Sequence, residues 1–136
     1  LVGSEMCIRD SECTVTGAKD LDTAIIVAKS VICSPLFKCA MFGADANWGR
    51  ILCAVGYAEA DFDINKVDVS LSSKAGEIHV CHNGAGIEFS EEVAKTVLLE
   101  DEITISVSIG DGNGTATAWG CDLTYDYVKI NGDYRS

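Results

Sequence analysis

The segment Ile103-Thr104-Ile105-Ser106-Val107-Ser108-Ile109 alternates apolar and polar side chains over seven residues without a fault. Successive side chains of a strand point to opposite faces, so this run predicts a strand with one face buried and one turned outward. A chain that carries it must build a sheet and cover one side of it. The run Gly110-Asp111-Gly112-Asn113-Gly114 follows and reads as a tight turn. Thr115 to Leu123 reads as the returning strand, so the two strands are expected to pair as a hairpin.

The other elements are fitted around that sheet. Glu12 to Gly17 predicts a short strand, and Asp20 then offers an N-cap. Leu21, Ala24, Ile25, Ala28, Val31 and Ile32 recur at helical spacing, and Ser34-Pro35 ends that helix. Phe37 to Phe42 is a short apolar run. Asp45 or Asn47 can cap a second helix over roughly Trp48 to Ala58, with Ile51, Leu52, Val55 and Ala58 on one face. Val67 to Leu71 alternates as a half-buried strand, and Ile78 to Cys81 is its hairpin partner across Ser72 to Gly76. Ser90 begins a third helix, with Glu91 and Glu92 in the first turn and Val93, Ala94, Val97 and Leu98 as its apolar face. The order is strand, helix, helix, two strands, helix, two strands. It predicts one mixed α/β (α+β) domain with a largely antiparallel sheet covered by helices.

At 136 residues the chain suits a single domain that buries roughly two-thirds of its unfolded surface. Leu1 to Ser11 has no clear period and is set aside as a non-native leader, which leaves 12–136 as the domain. The net charge of -11 argues against generic nucleic-acid or anionic-membrane partners, because an acidic surface repels phosphate. No apolar run approaches the roughly 20 residues that span a bilayer. The seven cysteines are odd in number, irregularly spaced and free of C-x-x-C pairs. They are expected to be buried, reduced thiols in a reducing compartment.

Four stretches could carry chemistry. Gly110 to Gly114 is glycine-rich, but it joins two strands and lacks the helix N-terminus that a phosphate cradle needs. In His79-Val80-Cys81-His82, strand alternation puts His79 and Cys81 on one face and His82 on the other, so no metal site is expected. Gly43 to Arg50 reads as a capped helix start with Trp48 in the core, or as a pocket-shaping loop in which the planar fork of Arg50 pairs with a carboxylate. The tail Asn131-Gly132-Asp133-Tyr134-Arg135-Ser136 reads as a surface end, or as a docked segment that brings amide and hydroxyl groups to a small polar ligand.

Two of these stretches carry a resemblance. Ser34 to Lys38 followed by Phe42-Gly43-Ala44-Asp45-Ala46-Asn47-Trp48-Gly49-Arg50-Ile51-Leu52, and Thr115 to Ser136, closely resemble segments of the ornithine acetyltransferase family of arginine biosynthesis. Thr14 to Ala18 is similar to that family's preceding strand, so the resemblance covers about Glu12 to Ser136. It implies a roll-like C-terminal domain of the β chain of a glutamate N-acetyltransferase. Such enzymes are made as one precursor that cuts itself before an internal threonine. The freed threonine takes acetyl from N2-acetyl-L-ornithine and passes it to L-glutamate, with acetyl-CoA as an additional donor in some members and no cofactor. The resemblance further implies a cytoplasmic heterotetramer of α and β chains. Carried over residue by residue, the family's substrate contacts fall on Asn131 and Ser136, with Ser in place of the usual Thr. The nucleophile, the lysine before it and the oxyanion-hole residues are expected upstream of Glu12, so the fragment alone is expected to be inactive. Ala46 stands where the family commonly has Pro. The alternative class is a non-catalytic interaction domain that folds on a partner chain.

Overall fold

The computed structural model describes residues 10–121. The elements are β1 (Asp10–Ala18), α1 (Leu21–Ile32), α2 (Pro35–Phe42), α3 (Trp48–Gly56), a 3-10 turn (Ile64–Lys66), β2 (Asp68–Ser73), β3 (Gly76–His82), β4 (Ala85–Gly86), α4 (Glu91–Leu98), β5 (Glu102–Ser108) and β6 (Gly114–Cys121). β1 begins before Glu12, so Asp10 and Ser11 also pair within the sheet. The six strands form one sheet in the order β4-β3-β2-β5-β1-β6. Among the described strands only β1 and β5 run parallel; the other neighbours are antiparallel. The expected mixed, largely antiparallel sheet is therefore present.

The expected hairpin between the last two strands is not. β1 lies between β5 and β6, paired to both. The loop after β5 closes over the end of β1. The amides of Asp111 and Gly112 donate to the Gly17 carbonyl at 2.6 and 2.9 Å, and the Ile109 amide donates to the Thr16 carbonyl at 3.0 Å. A side chain at Gly112 would place its Cβ 2.9 Å from the Ala18 carbonyl oxygen. The glycines thus permit a close approach to β1 rather than a tight reversal.

Alternate strand positions and one side of each helix meet in a single core. β1 contributes Cys13 and Val15, β5 contributes Ile103, Ile105 and Val107, and β2 contributes Val69 and Leu71. The helices add Val27, Val31, Phe37, Met41, Ile51, Val55 and Leu98. Burying each large aliphatic side chain contributes about 1.5–3 kcal/mol. The opposite sheet face carries hydroxyls, with Thr14 Oγ1 and Thr117 Oγ1 hydrogen-bonded at 3.1 Å.

The helix caps follow the sequence: Asp20, Asn47 and Ser90 each accept from a backbone amide three residues on. Helix α2 is not expected from the sequence, because Ser34-Pro35 reads as the stop of α1 while it also serves as the start of the next helix. Ser34 Oγ accepts from the Phe37 amide at 3.3 Å and Pro35 fills the first helical position, where its missing N–H costs nothing. The buried face of α1 is Thr23, Ala24, Val27, Ala28, Val31 and Ile32, leaving Leu21 exposed. In α4, Ala94, Val97 and Leu98 are buried while Val93 faces solvent.

The cysteine expectation needs correction on two counts. Cys13 and Cys81 are buried free thiols, but Cys33, Cys39 and Cys53 are free and exposed. Their apolar segments are helices or helix ends covered on one side only, and these cysteines fall on the outer side. Cys121 is disulfide-bonded, so the seven are not all free thiols. Burial pushes the Cys13 thiol up to about 12. Cys81 rises to about 11, first through burial and second through the negative charge of Asp68.

Candidate functional site at the acidic end of the sheet

At one end of the sheet β1 and β5 begin and β6 finishes, with Asp10 paired to both Glu102 and Cys121. A cleft of about 590 Å³ opens there, lined by Asp10, Ser11, Glu12, Glu102, Thr104 and Trp119 among others. Register explains the grouping. Glu12 stands opposite Thr104 on one side and Trp119 on the other, so all three side chains share the outer face. The Glu12 carboxylate accepts from Trp119 Nε1 at 3.1 Å and from Thr104 Oγ1 at 3.2 Å. It therefore holds in place an indole that is 64% exposed. Ser11 Oγ is buried with no hydrogen-bond partner among the described residues. A second cleft of about 570 Å³ shares Glu102 and Thr104 and adds Lys74, Glu100 and Asp101. Among the described residues five carboxylates thus gather at one end, partly offset by Lys74, whose Nζ lies 3.6 Å from Glu100. Such an end attracts cationic groups. The chain leaves β6 here, and Asn131 and Ser136 lie beyond it, outside the described residues.

The loop before α3 has a different character. Asn47 Oδ1 caps α3 through the Arg50 amide at 3.1 Å, while Asn47 Nδ2 donates to Asp45 at 3.2 Å. Among the described residues Arg50 meets no carboxylate; its Nη1 donates to the Leu36 carbonyl at 3.0 Å and ties α3 to the first turn of α2. Trp48 is 38% exposed rather than in the core. It lies over Gly86, where a Cβ would collide with the indole. These residues fix helix positions, and a cleft of about 390 Å³ lined by Cys33, Leu36, Arg50, Cys53 and Tyr57 lies beside them.

The histidine segment departs from simple alternation. Val69 pairs with Cys81 and Ser70 with His79, so the register shifts and Val80 is an extra residue. Val80 and Cys81 both face the core, which leaves His79 and His82 together on the outer face. Sequence alternation separated them because a bulge has no signature in an apolar dipeptide. The loop Gly110 to Gly114 joins β5 to β6, strand to strand as expected.

Among the described residues, a sheet with helices packed on one face and an acidic, aromatic-rimmed cleft at its end defines a domain of the α+β class. The chain matches the ArgJ family over residues 3–136, and it belongs to that family. It is 55% identical over 125 residues to an arginine biosynthesis bifunctional protein ArgJ of Caldanaerobacter subterraneus subsp. tengcongensis, covering 92% of this chain and 31% of that protein. It is 43% identical over 126 residues to a glutamate N-acetyltransferase of Methanosarcina mazei, covering 92% of this chain and 32% of the relative. The crystal structure of the arginine biosynthesis bifunctional protein argJ from Bacillus halodurans superposes with a TM-score of 0.86 at 44% identity, covering 94% of this chain and 59% of that one. The chain spans about a third of the length of the curated relatives it matches. Among the described residues no single helix is long and apolar enough to cross a membrane.

Proposed function

We propose that residues 12–136 are the C-terminal, substrate-facing domain of a glutamate N-acetyltransferase of arginine biosynthesis. The observation that carries this reading is the family match along nearly the whole chain, at 55% identity to one bifunctional relative. The enzyme moves acetyl from N2-acetyl-L-ornithine to L-glutamate through an acetyl-threonine on a segment upstream of this one. Splitting one acyl transfer into two steps lowers each barrier. The working assembly is a cytoplasmic heterotetramer in which this domain sits on an α chain cut from the same precursor.

Within this reading the acidic cleft, lined by Asp10, Glu12 and Glu102, receives the cationic end of N-acetylornithine. Asn131 and Ser136 supply an amide and a hydroxyl to the α-amino and α-carboxylate groups of the amino-acid substrates. Leaving one such buried partner unpaired costs about 1–3 kcal/mol. The test is the full-length enzyme, assayed for glutamate-dependent release of ornithine from N-acetylornithine. Asn131→Ala is expected to lower kcat/KM roughly 5- to 150-fold with the thermal midpoint unchanged, and Ser136→Ala to lower it less. Unchanged kcat/KM in a folded Asn131→Ala enzyme refutes the site assignment, and no ornithine release by the wild type refutes the activity.

A further inference from the structure

We propose that Asp68, His79 and His82 form a binding site for a divalent transition-metal ion of the Zn²⁺ type on the outer face of the β2–β3 hairpin. The site rests on the bulge in β3. With Val69 opposite Cys81 and Ser70 opposite His79, Val80 has no register partner on β2, and Val80 and Cys81 turn inward in succession. That one extra residue shifts the phase of the strand. It carries His82 to the face that already holds His79.

Asp68 opens β2 and lies beside them. His82 Nδ1 is 3.0 Å from Asp68 Oδ1, and the two imidazoles meet edge-on with centroids 6.1 Å apart. One ligating atom from each of the three residues lies within 4.8 Å of the others. Zinc–nitrogen and zinc–oxygen bonds of about 2.0–2.2 Å in a tetrahedron place ligand atoms roughly 3.3–3.6 Å apart. Both histidines are exposed, so small ring rotations close the difference without moving packed atoms.

The backbone beneath is fixed. Asp68 Oδ1 also accepts from the Asn83 amide at 2.9 Å, which orients the carboxylate from behind as outer-shell partners do at metal sites. Asn83 and Gly84 form the turn after β3 with φ of 50° and 75°. The Gly84 amide donates to the Val67 carbonyl at 2.8 Å, and a Cβ there would collide with the Ile64 carbonyl. Bulge, turn and the start of β2 are thereby locked together around the three side chains.

Two neutral imidazoles and one carboxylate suit zinc and its neighbours rather than Ca²⁺ or Mg²⁺, which take oxygen ligands. Three protein ligands leave a fourth position for water or a small anion. Cys81 turns into the core, so the set is nitrogen and oxygen only. His79 and His82 are the only histidines of the chain.

The full-length protein, stripped with a chelator, is titrated calorimetrically with Zn²⁺, and with Co²⁺ followed by absorption. One equivalent is expected to weaken at least about tenfold in His79→Gln and in His82→Gln, since loss of even an outer-shell contact costs that much at metal sites. Asp68→Asn should weaken the same equivalent. The metal-free thermal midpoints of the two histidine variants should match wild type, so they decide the matter even if Asp68→Asn loosens the turn. The Co²⁺ spectrum should show ligand-field bands without thiolate charge transfer, and those bands should vanish with either histidine. No saturable Zn²⁺ binding overturns the proposal. So does binding indifferent to one or both histidines, or a thiolate spectrum that survives their replacement.

Discussion

β2 and β3, like β5 and β6, are consecutive antiparallel strands joined by a short connection, yet of the two sets only β2 and β3 touch. Lys74 and Ala75 alone separate Ser73 from Gly76, and the two strands pair directly. Ile109 to Asn113 separate Ser108 from Gly114, and β1 runs between the strands they join. Neighbouring strands lie about 4.8 Å apart, so strands flanking a third are roughly 10 Å apart. A two-residue turn cannot bridge that gap, whereas a five-residue loop can. Turn composition alone was a poor guide; connection length together with an unpaired early strand was the usable signal. A parallel β1–β5 pair also brings together residues far apart in sequence, the kind of contact no local pattern reports.

The largest expected effect strikes the strand that joins the two regions. Ile105 is fully buried and pairs with Cys13 of β1 and Leu71 of β2. Ile105→Ala should cost about 2–5 kcal/mol, read as a large fall in thermal midpoint. A small loss would mean that β5 is not the spine of the sheet.

Next comes a direct contrast of the two connections. A Cβ on Gly114 collides with the Asp20 carbonyl, because β6 starts hard against the end of β1. Gly114→Ala should therefore destabilise by about 1–3 kcal/mol. Ala75→Gly, in the exposed turn of the true hairpin, should cost less than about 1 kcal/mol. Equal losses in urea unfolding would remove the distinction drawn between the loops.

A third measurement compares the strands themselves. Cys13 is buried on β1, flanked by β5 and β6, while Cys81 is buried on β3 beside the two-residue strand β4. Local opening is easier near a short edge. In the full-length protein, native-state alkylation should label Cys81 at least about tenfold faster than Cys13, a difference of roughly 1.4 kcal/mol in opening free energy. The exposed thiols Cys33, Cys39 and Cys53 should react before either. Comparable protection of Cys13 and Cys81 would indicate that the sheet opens as one unit.

The same contrast explains what the sequence disclosed. Asp20, Asn47 and Ser90 announced three helices because a cap is a local event. The β2–β3 hairpin was legible for the same reason. Helix α2 was hidden by a proline that serves both as an end and as a beginning. The grouping of His79 with His82 was hidden by Val80, since nothing in its own chemistry marks it as the extra residue of a bulge. Glu12, Thr104 and Trp119 come together only through register across three strands. Asn131 and Ser136 were singled out by family resemblance.

The smallest expected effect concerns the corner where β1 turns into α1 beneath the 110–114 loop. Asp20 caps α1 through the Thr23 amide at 2.8 Å, and its backbone carbonyl is the group that Gly114 must clear. Hydrogen bonds from Thr23, side chain first and backbone second, hold the Asp20 carboxyl below its ordinary value of 3.8, with a lesser contribution from Lys19. A depressed carboxyl pKa means that the folded state binds its proton less readily than the unfolded chain does. The resulting stability is fully present above pH 3.8 and is lost as pH falls through the lower folded-state value. Asp20→Asn keeps an acceptor for the Thr23 amide but cannot titrate, so it should remove this component while preserving the cap. Urea midpoints of wild type and variant, measured from neutral pH downward, should differ slightly at neutral pH and converge below pH 3.8, because only wild type loses the contribution. A constant offset across that window would show that the carboxylate charge plays no part in holding the corner, leaving the loop hydrogen bonds to Gly17 as what fixes β1 between its neighbours.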